Sequence, residues 1–158
     1  MTTPDPGVPT ADDGRAIIDA NAYMTLATAD GSGRPWASPV WFSHRSYSHL
    51  VWVSRPGARH SRNIAQRPEV GIVVFDSTVP IGDGRGVYMD AIAAAVDEHE
   101  VSEWLEVFSD RLVAQGATHW REHQVTSDAP FRLYVATVTL AYVLDDHDQR
   151  TAVDLAPS

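Results

Sequence analysis

Between Tyr23 and Ser54 three runs of β-forming residues follow one another with no link long enough for a helix, and that succession limits the fold more than any other feature. Tyr23 to Ala29 reads Tyr-Met-Thr-Leu-Ala-Thr-Ala and runs into Asp30-Gly31-Ser32-Gly33, a strong turn signal. Pro35 to Phe42 gives a second strand and Ser43 to Ser48 a polar turn. His49 to Ser54 is a third strand, in which Val51 and Val53 alternate with Leu50 and Trp52. Links this short join antiparallel neighbours, since a parallel crossover needs about a dozen residues or more. Glu69 to Asp76, Arg85 to Val96 and the alternating run Phe131 to Leu144 add three strands. Six strands with few helices predict a mainly β fold, a six-stranded antiparallel barrel with flanking helices. A Rossmann-type cofactor platform is excluded, because a parallel α/β sheet places a helix after nearly every strand.

Three helices are expected around the barrel. Asp12 or Asp13 can cap a short one that buries Ile17 and Ile18. Arg59 to Arg67 forms another, stopped by Pro68. Between Glu98 and Gln115 the residues Val101, Trp104, Leu105, Phe108, Leu112 and Val113 recur at helical spacing, with Glu100, Glu103, Glu106 and Asp110 opposite. The 158 residues suffice for one core. The expected organisation is a mobile tail over 1–11, a domain over 12–145 and an acidic tail over 146–158.

The formal charge of −9 argues against a nucleic-acid partner, which needs clustered positive charge. All 12 basic residues are Arg, so lysine Schiff-base chemistry is absent and the positive sites suit bidentate contacts to carboxylate or phosphate. The chain has no Cys, which removes disulfides, thiolate metal sites and thiol catalysis. The first residues show no basic and apolar leader pattern, and no run approaches a membrane span. A cytoplasmic protein with no membrane partner is expected.

The segment Ser54-Arg55-Pro56-Gly57-Ala58-Arg59-His60-Ser61-Arg62-Asn63 collects three arginines, a histidine and hydroxyls where a strand ends and a helix begins. The N–H groups and dipole at a helix start favour an anion, and Arg forks match phosphate oxygens. The competing interpretation is a solvated basic turn.

Several blocks, in this order, resemble the pyridoxamine 5′-phosphate oxidase-like family of split barrels. They are Met24 to Thr28, Gly33 to Phe42, Val53-Ser54, Arg59 to Ile64, Pro68 to Phe75 and Gly86 to Ala91. The resemblance implies an FMN-binding split barrel, homodimeric, with the cofactor at the subunit interface. The strand Ala37, Ser38, Pro39, Val40 and Trp41 would line the isoalloxazine ring. Ser54, Arg59, His60, Ser61 and Arg62 would hold the phosphate and ribityl chain. The implied activity is an FMN-dependent oxidoreductase acting on a small-molecule substrate. The alternatives are a reductase using the deazaflavin coenzyme F420 and a non-enzymatic flavin- or haem-binding module.

The sequence departs from that pattern in places. Many members carry Arg-Lys where this chain has Arg59-His60, so one permanent charge becomes a group mostly neutral at pH 7. Gly86 stands where the oxidase has a glutamine, and the oxidase's C-terminal substrate signature is not recognisable after Asp128. True pyridoxamine phosphate oxidase activity is not expected.

His119-Trp120-Arg121-Glu122-His123 fits the H-x-x-E-H pattern of a zinc protease. No Glu follows Glu122 to act as third ligand, so a polar helix end or groove rim is the preferred interpretation. Gly82 to Gly86 precedes a strand and reads as a hairpin loop. Of Trp36, Trp41 and Trp52, only Trp41 gains support as a flavin neighbour. His44, His49, His99 and His147 are scattered without metal-ligand spacing, and Asp90 is expected to hydrogen-bond structurally.

Overall fold

The computed structural model describes residues 7–157. The expected N-terminal tail lies outside the described residues as far as residue 6. The described chain runs α1 (Ala11–Ala20), β1 (Tyr23–Ala29), β2 (Pro35–Trp41), β3 (Ser43–Arg45), β4 (His49–Ser54), α2 (Arg59–Gln66), β5 (Glu69–Phe75), β6 (Gly86–Ala95), α3 (Val101–Ala114), β7 (Arg132–Leu144) and β8 (Arg150–Ala152). Single 3-10 turns lie at Glu98–Glu100 and Glu122–Gln124.

All strands join one antiparallel sheet in the order β2-β1-β5-β6-β7-β4-β3, with β8 added to β7. The six expected strands are all present, and the mainly β split-barrel class holds. Two short strands are additional. Ser43 to Arg45, expected as part of a polar turn, pairs with β4 in the register Ser43↔Val51. Its polar side chains have partners that are remote in sequence. Ser43 Oγ donates to the Val107 carbonyl at 2.7 Å, His44 Nε2 meets Asp19 at 3.0 Å, and the Arg45 guanidinium lies 3.7 Å from the Trp104 ring centre.

The second addition corrects the expected acidic tail. Asp145 accepts N–H groups from His147 and Gln149, each at 2.8 Å, which tightens a turn and sends β8 back along β7. Leu155 then enters the core, and Arg15 Nη1 donates to its carbonyl at 3.2 Å. Gly14 of α1 leaves room for it: a Cβ there would stand 2.9 Å from Leu155 Cδ2.

The helix start also differs from expectation. Thr10, and neither Asp12 nor Asp13, caps α1; its hydroxyl accepts from Asp13 N–H, and Asp13 Oδ2 accepts from Thr10 N–H at 2.7 Å. These bonds hold the Asp13 carboxyl below the usual carboxylate range. Asp90 contributes through its carbonyl and not its carboxylate. The strand β7 bulges at Thr139, whose hydroxyl donates to Asp90 O at 3.0 Å.

The sheet is buried on both faces at β4. Leu50 and Trp52 enter the barrel interior with Met24, Leu26, Phe42, Ile72 and Met89. Val51 faces the other way, into a second cluster of Trp104, Leu105, Phe108 and Leu112 from α3. That two-sided burial explains the nearly continuous apolar run of β4. Arg111 ties α3 to the barrel, donating to Ile18 O at 2.7 Å, Asn21 O at 2.9 Å and Phe42 O at 3.3 Å.

Leu155→Ala tests the docked C-terminus. Removing a buried leucine typically costs about 2–5 kcal/mol. A urea-melt loss of roughly that size is expected, whereas an unattached tail gives no change.

Candidate cofactor-binding site

Four residues, Arg55 to Ala58, separate β4 from α2. Its N-cap is Ala58, in extended conformation, with no side-chain cap. The first intrahelical bond is Arg62 N–H to Ala58 O at 3.0 Å, so the N–H groups of Arg59, His60 and Ser61 have no carbonyl of the helix to bond. Ser61 is 3% exposed, and its hydroxyl has no partner among the described residues. The helix start thus combines N–H groups without a helical acceptor and a buried hydroxyl without a partner, and such groups carry a desolvation cost.

His60 sits between two strands. Its Nε2 is 2.6 Å from Ser54 Oγ on β4, and its Nδ1 is 3.2 Å from Ser38 Oγ on β2. Burial pushes its pKa below the ordinary 6.5, so the ring is neutral at pH 7. Arg59 lays its guanidinium 4.3 Å from the centre of the Trp36 ring. Arg62 donates to the Gly57 carbonyl and otherwise faces solvent.

The helix is anchored to the β1–β2 hairpin from beneath. Buried Asn63 donates to Thr28 Oγ1 at 3.0 Å, and Gln66 accepts from Gly31 N–H at 3.1 Å. Its start is held to β2 by the His60–Ser38 bond and the Arg59–Trp36 contact.

Among the described residues the strand β2 pairs only with β1 and ends the sheet, leaving one row of its backbone groups unpaired. Pro39 is tolerated at such an edge and withdraws one donor from it. Ala37 and Pro39 are exposed, whereas Ser38 and Val40 turn inward. Trp41, expected beside a flavin, is half-buried under α3. Its ring packs edge-on against Phe108 at 4.9 Å, and its Nε1 donates to Gln115 at 2.7 Å. Trp36 is the tryptophan beside the arginine-bearing helix. Period-two alternation places it on one face with Ser38 and Val40, a signal present in the sequence. Trp52 is core, stacked on Tyr134 at 5.7 Å.

The H-x-x-E-H segment does not form two ligands one helical turn apart. His119 lies in a loop and His123 in the 3-10 turn, while Trp120 between them packs on Phe131 at 5.5 Å and Phe108 at 6.2 Å. A cluster of close-set metal-type side chains among the described residues is Asp97, His99 and Glu100, all exposed. His44 and His49 are less scattered than their sequence positions imply. His44 is bonded to Asp19 and stacks on Tyr47 at 4.2 Å, and His49 tilts against Trp104 at 5.5 Å.

An antiparallel sheet curled into a half-barrel, with a helix start set against its edge strand, defines a split-barrel protein. The sequence profile of pyridoxamine 5′-phosphate oxidase matches residues 11–145, and the chain belongs to that family. No curated protein sequence matches it. Among solved structures, a haem-binding protein from Mycobacterium smegmatis superposes with a TM-score of 0.73 at 19% identity, over 96% of this chain and 59% of that one. The chain thus spans under two thirds of that protein's length. A FAD-binding protein from Mesorhizobium loti gives 0.66 at 16% identity, over 86% of this chain and 94% of that one. An F420 reductase gives 0.59 at 19% identity, over 80% and 94%. At such identities the likeness establishes the fold.

Burial lowers the pKa of His44, His49 and His60 alike. Each is favoured neutral in the folded state, so its contribution is present above pH 6.5 and lost as pH falls through the folded value. Urea-melt stability is therefore expected to decline from pH 6.5 to 5, and less steeply in His60→Gln. An unchanged slope in that variant would contradict a buried neutral His60.

Proposed function

We propose that the chain binds FMN at the α2 start and acts as an FMN-dependent oxidoreductase on a small molecule. The observation that carries this reading is the buried Ser61 hydroxyl, unpartnered beside the uncapped N–H groups of α2 and flanked by Arg59 and Arg62. The α2 N–H groups and the Ser61 hydroxyl lack acceptors, the two arginines add positive charge, and a phosphate is an anionic acceptor, so the residues present fit the group. Ser54 and Ser38 supply two further hydroxyls through the His60 bridge. The unpaired edge of β2 from Ala37 to Trp41 offers backbone groups to the rim of a planar ring.

Bound FMN would supply the redox step, accepting or passing on hydride or electrons, while the protein orients it and sets the local field. No side chain of the site is needed as a nucleophile.

A homodimer completes this reading. Tyr23, Phe75, Ile92 and Leu140 are 45–59% exposed on four different strands of the sheet, an apolar set that a lone subunit leaves in water. A second copy would cover it and wall the cofactor groove. A deazaflavin coenzyme is the second reading, favoured by the shared fold of an F420 reductase, because its phosphate suits the same arginines.

Flavin absorption bands in the purified protein, released on denaturation, are the expected result. A Soret band would replace this reading by haem binding, and binding of the deazaflavin without FMN would replace the cofactor. A hydrogen bond to a charged group contributes about 1.5–3 kcal/mol, so Arg59→Ala and Arg62→Ala should each raise the Kd for FMN by roughly ten- to a hundredfold. Unchanged affinity in both would remove the phosphate site from α2.

A further inference from the structure

The bridge Ser38–His60–Ser54 has a property that the flavin reading does not require. Both ring nitrogens are engaged, and each engages a hydroxyl, the one side-chain group that can donate or accept in either sense. A neutral imidazole has one N–H and one lone pair. The bridge must then run in one direction: one serine spends its only hydrogen on the ring, and the other receives the ring's N–H. A single hydroxyl hydrogen remains for anything bound above. An imidazolium donates to both serines, and both hydroxyl hydrogens are released. Protonation thus adds one hydrogen-bond donor and one positive charge to the place where the free protein already has unpaired donors.

Resting on the FMN reading, we propose that phosphate capture at the α2 start is coupled to uptake of one proton by His60, which turns both Ser38 and Ser54 into donors toward the phosphate. In the free protein, burial works against that proton and keeps the ring neutral. The surrounding elements do little to alter this. The strand β2 has no ionisable side chain, β1 only Tyr23, β6 only Tyr88 and Asp90, and β4 only His49 at its far end, while β7 sets Arg132, a further cation, opposite Ser54 and carries Tyr134 and Tyr142 beyond it. Arg55, Arg59 and Arg62 flank the ring from its own helix and the turn before it, and as cations they add no proton acceptor. A bound phosphate dianion is the one partner that reverses the balance, since it brings negative charge and accepts from both hydroxyls.

Titration calorimetry of the full chain with FMN, in phosphate-free buffers of different ionisation enthalpy between pH 7 and 9, measures the protons exchanged. The phosphate of FMN is already a dianion across that range, with its second pKa near about 6. The expected result is net uptake approaching one proton near pH 7, with Kd rising by up to tenfold per pH unit and flattening at high pH. Riboflavin, which lacks the phosphate, should bind without uptake. His60→Asn and His60→Gln, neither of which titrates, should bind FMN with no uptake and a Kd independent of pH, two variants guarding against a fold defect in either. FMN binding by the wild-type chain with no proton uptake overturns the coupling and leaves the flavin reading standing. Uptake that persists in His60→Gln, or appears equally with riboflavin, assigns the proton elsewhere and also overturns it. Absence of FMN binding at every pH overturns both.

Discussion

Phe42 is the residue on which the arrangement turns. One strand-length stretch pairs with β1 before it and with β4 after it, so the chain leaves one edge of the sheet and joins the other within a single residue. The ring is fully buried in the barrel core, its N–H reaches Ala22 O at 3.4 Å, and Arg111 holds it from outside with a guanidinium 4.4 Å from the ring centre. A sheet with both ends tied to one stretch of chain must curl. That curl brings β2 toward β4, and only then can one histidine reach Ser38 and Ser54 together.

The strands were legible because alternation is a local property. Val51 and Val53 against Leu50 and Trp52 reveal a strand without reference to the rest of the chain, and so do the residues of β1, β5, β6 and β7. Where the signal depended on distant partners the sequence was silent. Ser43, His44 and Arg45 look like a turn because their polar groups are satisfied by Val107, Asp19 and Glu103, which only the folded chain brings near. Thr10 outcompetes Asp12 and Asp13 as cap because the reciprocal bond with Asp13 satisfies two groups at once. The last residues read as tail because a lone Leu155 carries little weight until Gly14 is seen to make room for it.

The site was legible as a set of residues and not as an arrangement. Ser54, Arg59, His60 and Ser61 stand together in sequence, so their nearness was assured. Ser38 is far from them along the chain, and its hydrogen bond to His60 follows from the curl alone. The surroundings of the Trp41 ring were hidden for the same reason: α3 reaches β2 and packs against it through Phe108, with Gln115 accepting from its Nε1. Trp36 was passed over although alternation sets it on the same side of β2 as Ser38.

The two unpaired groups at Ser61 and Trp52 have different meanings, and the difference supports the position of the site. A buried polar atom without a partner costs about 1–3 kcal/mol. At Trp52 that cost accompanies a large ring fully buried against Tyr134, whose apolar contact offsets it. Ser61 brings no comparable apolar gain, since its side chain is a single hydroxymethyl group. Its penalty stands beside the unpaired N–H groups of a helix that Asn63 and Gln66 hold firmly in place. A fold that spends rigidity on keeping donors unsatisfied gains that free energy back when an acceptor arrives, and binding of such a ligand then stabilises the native state by mass action.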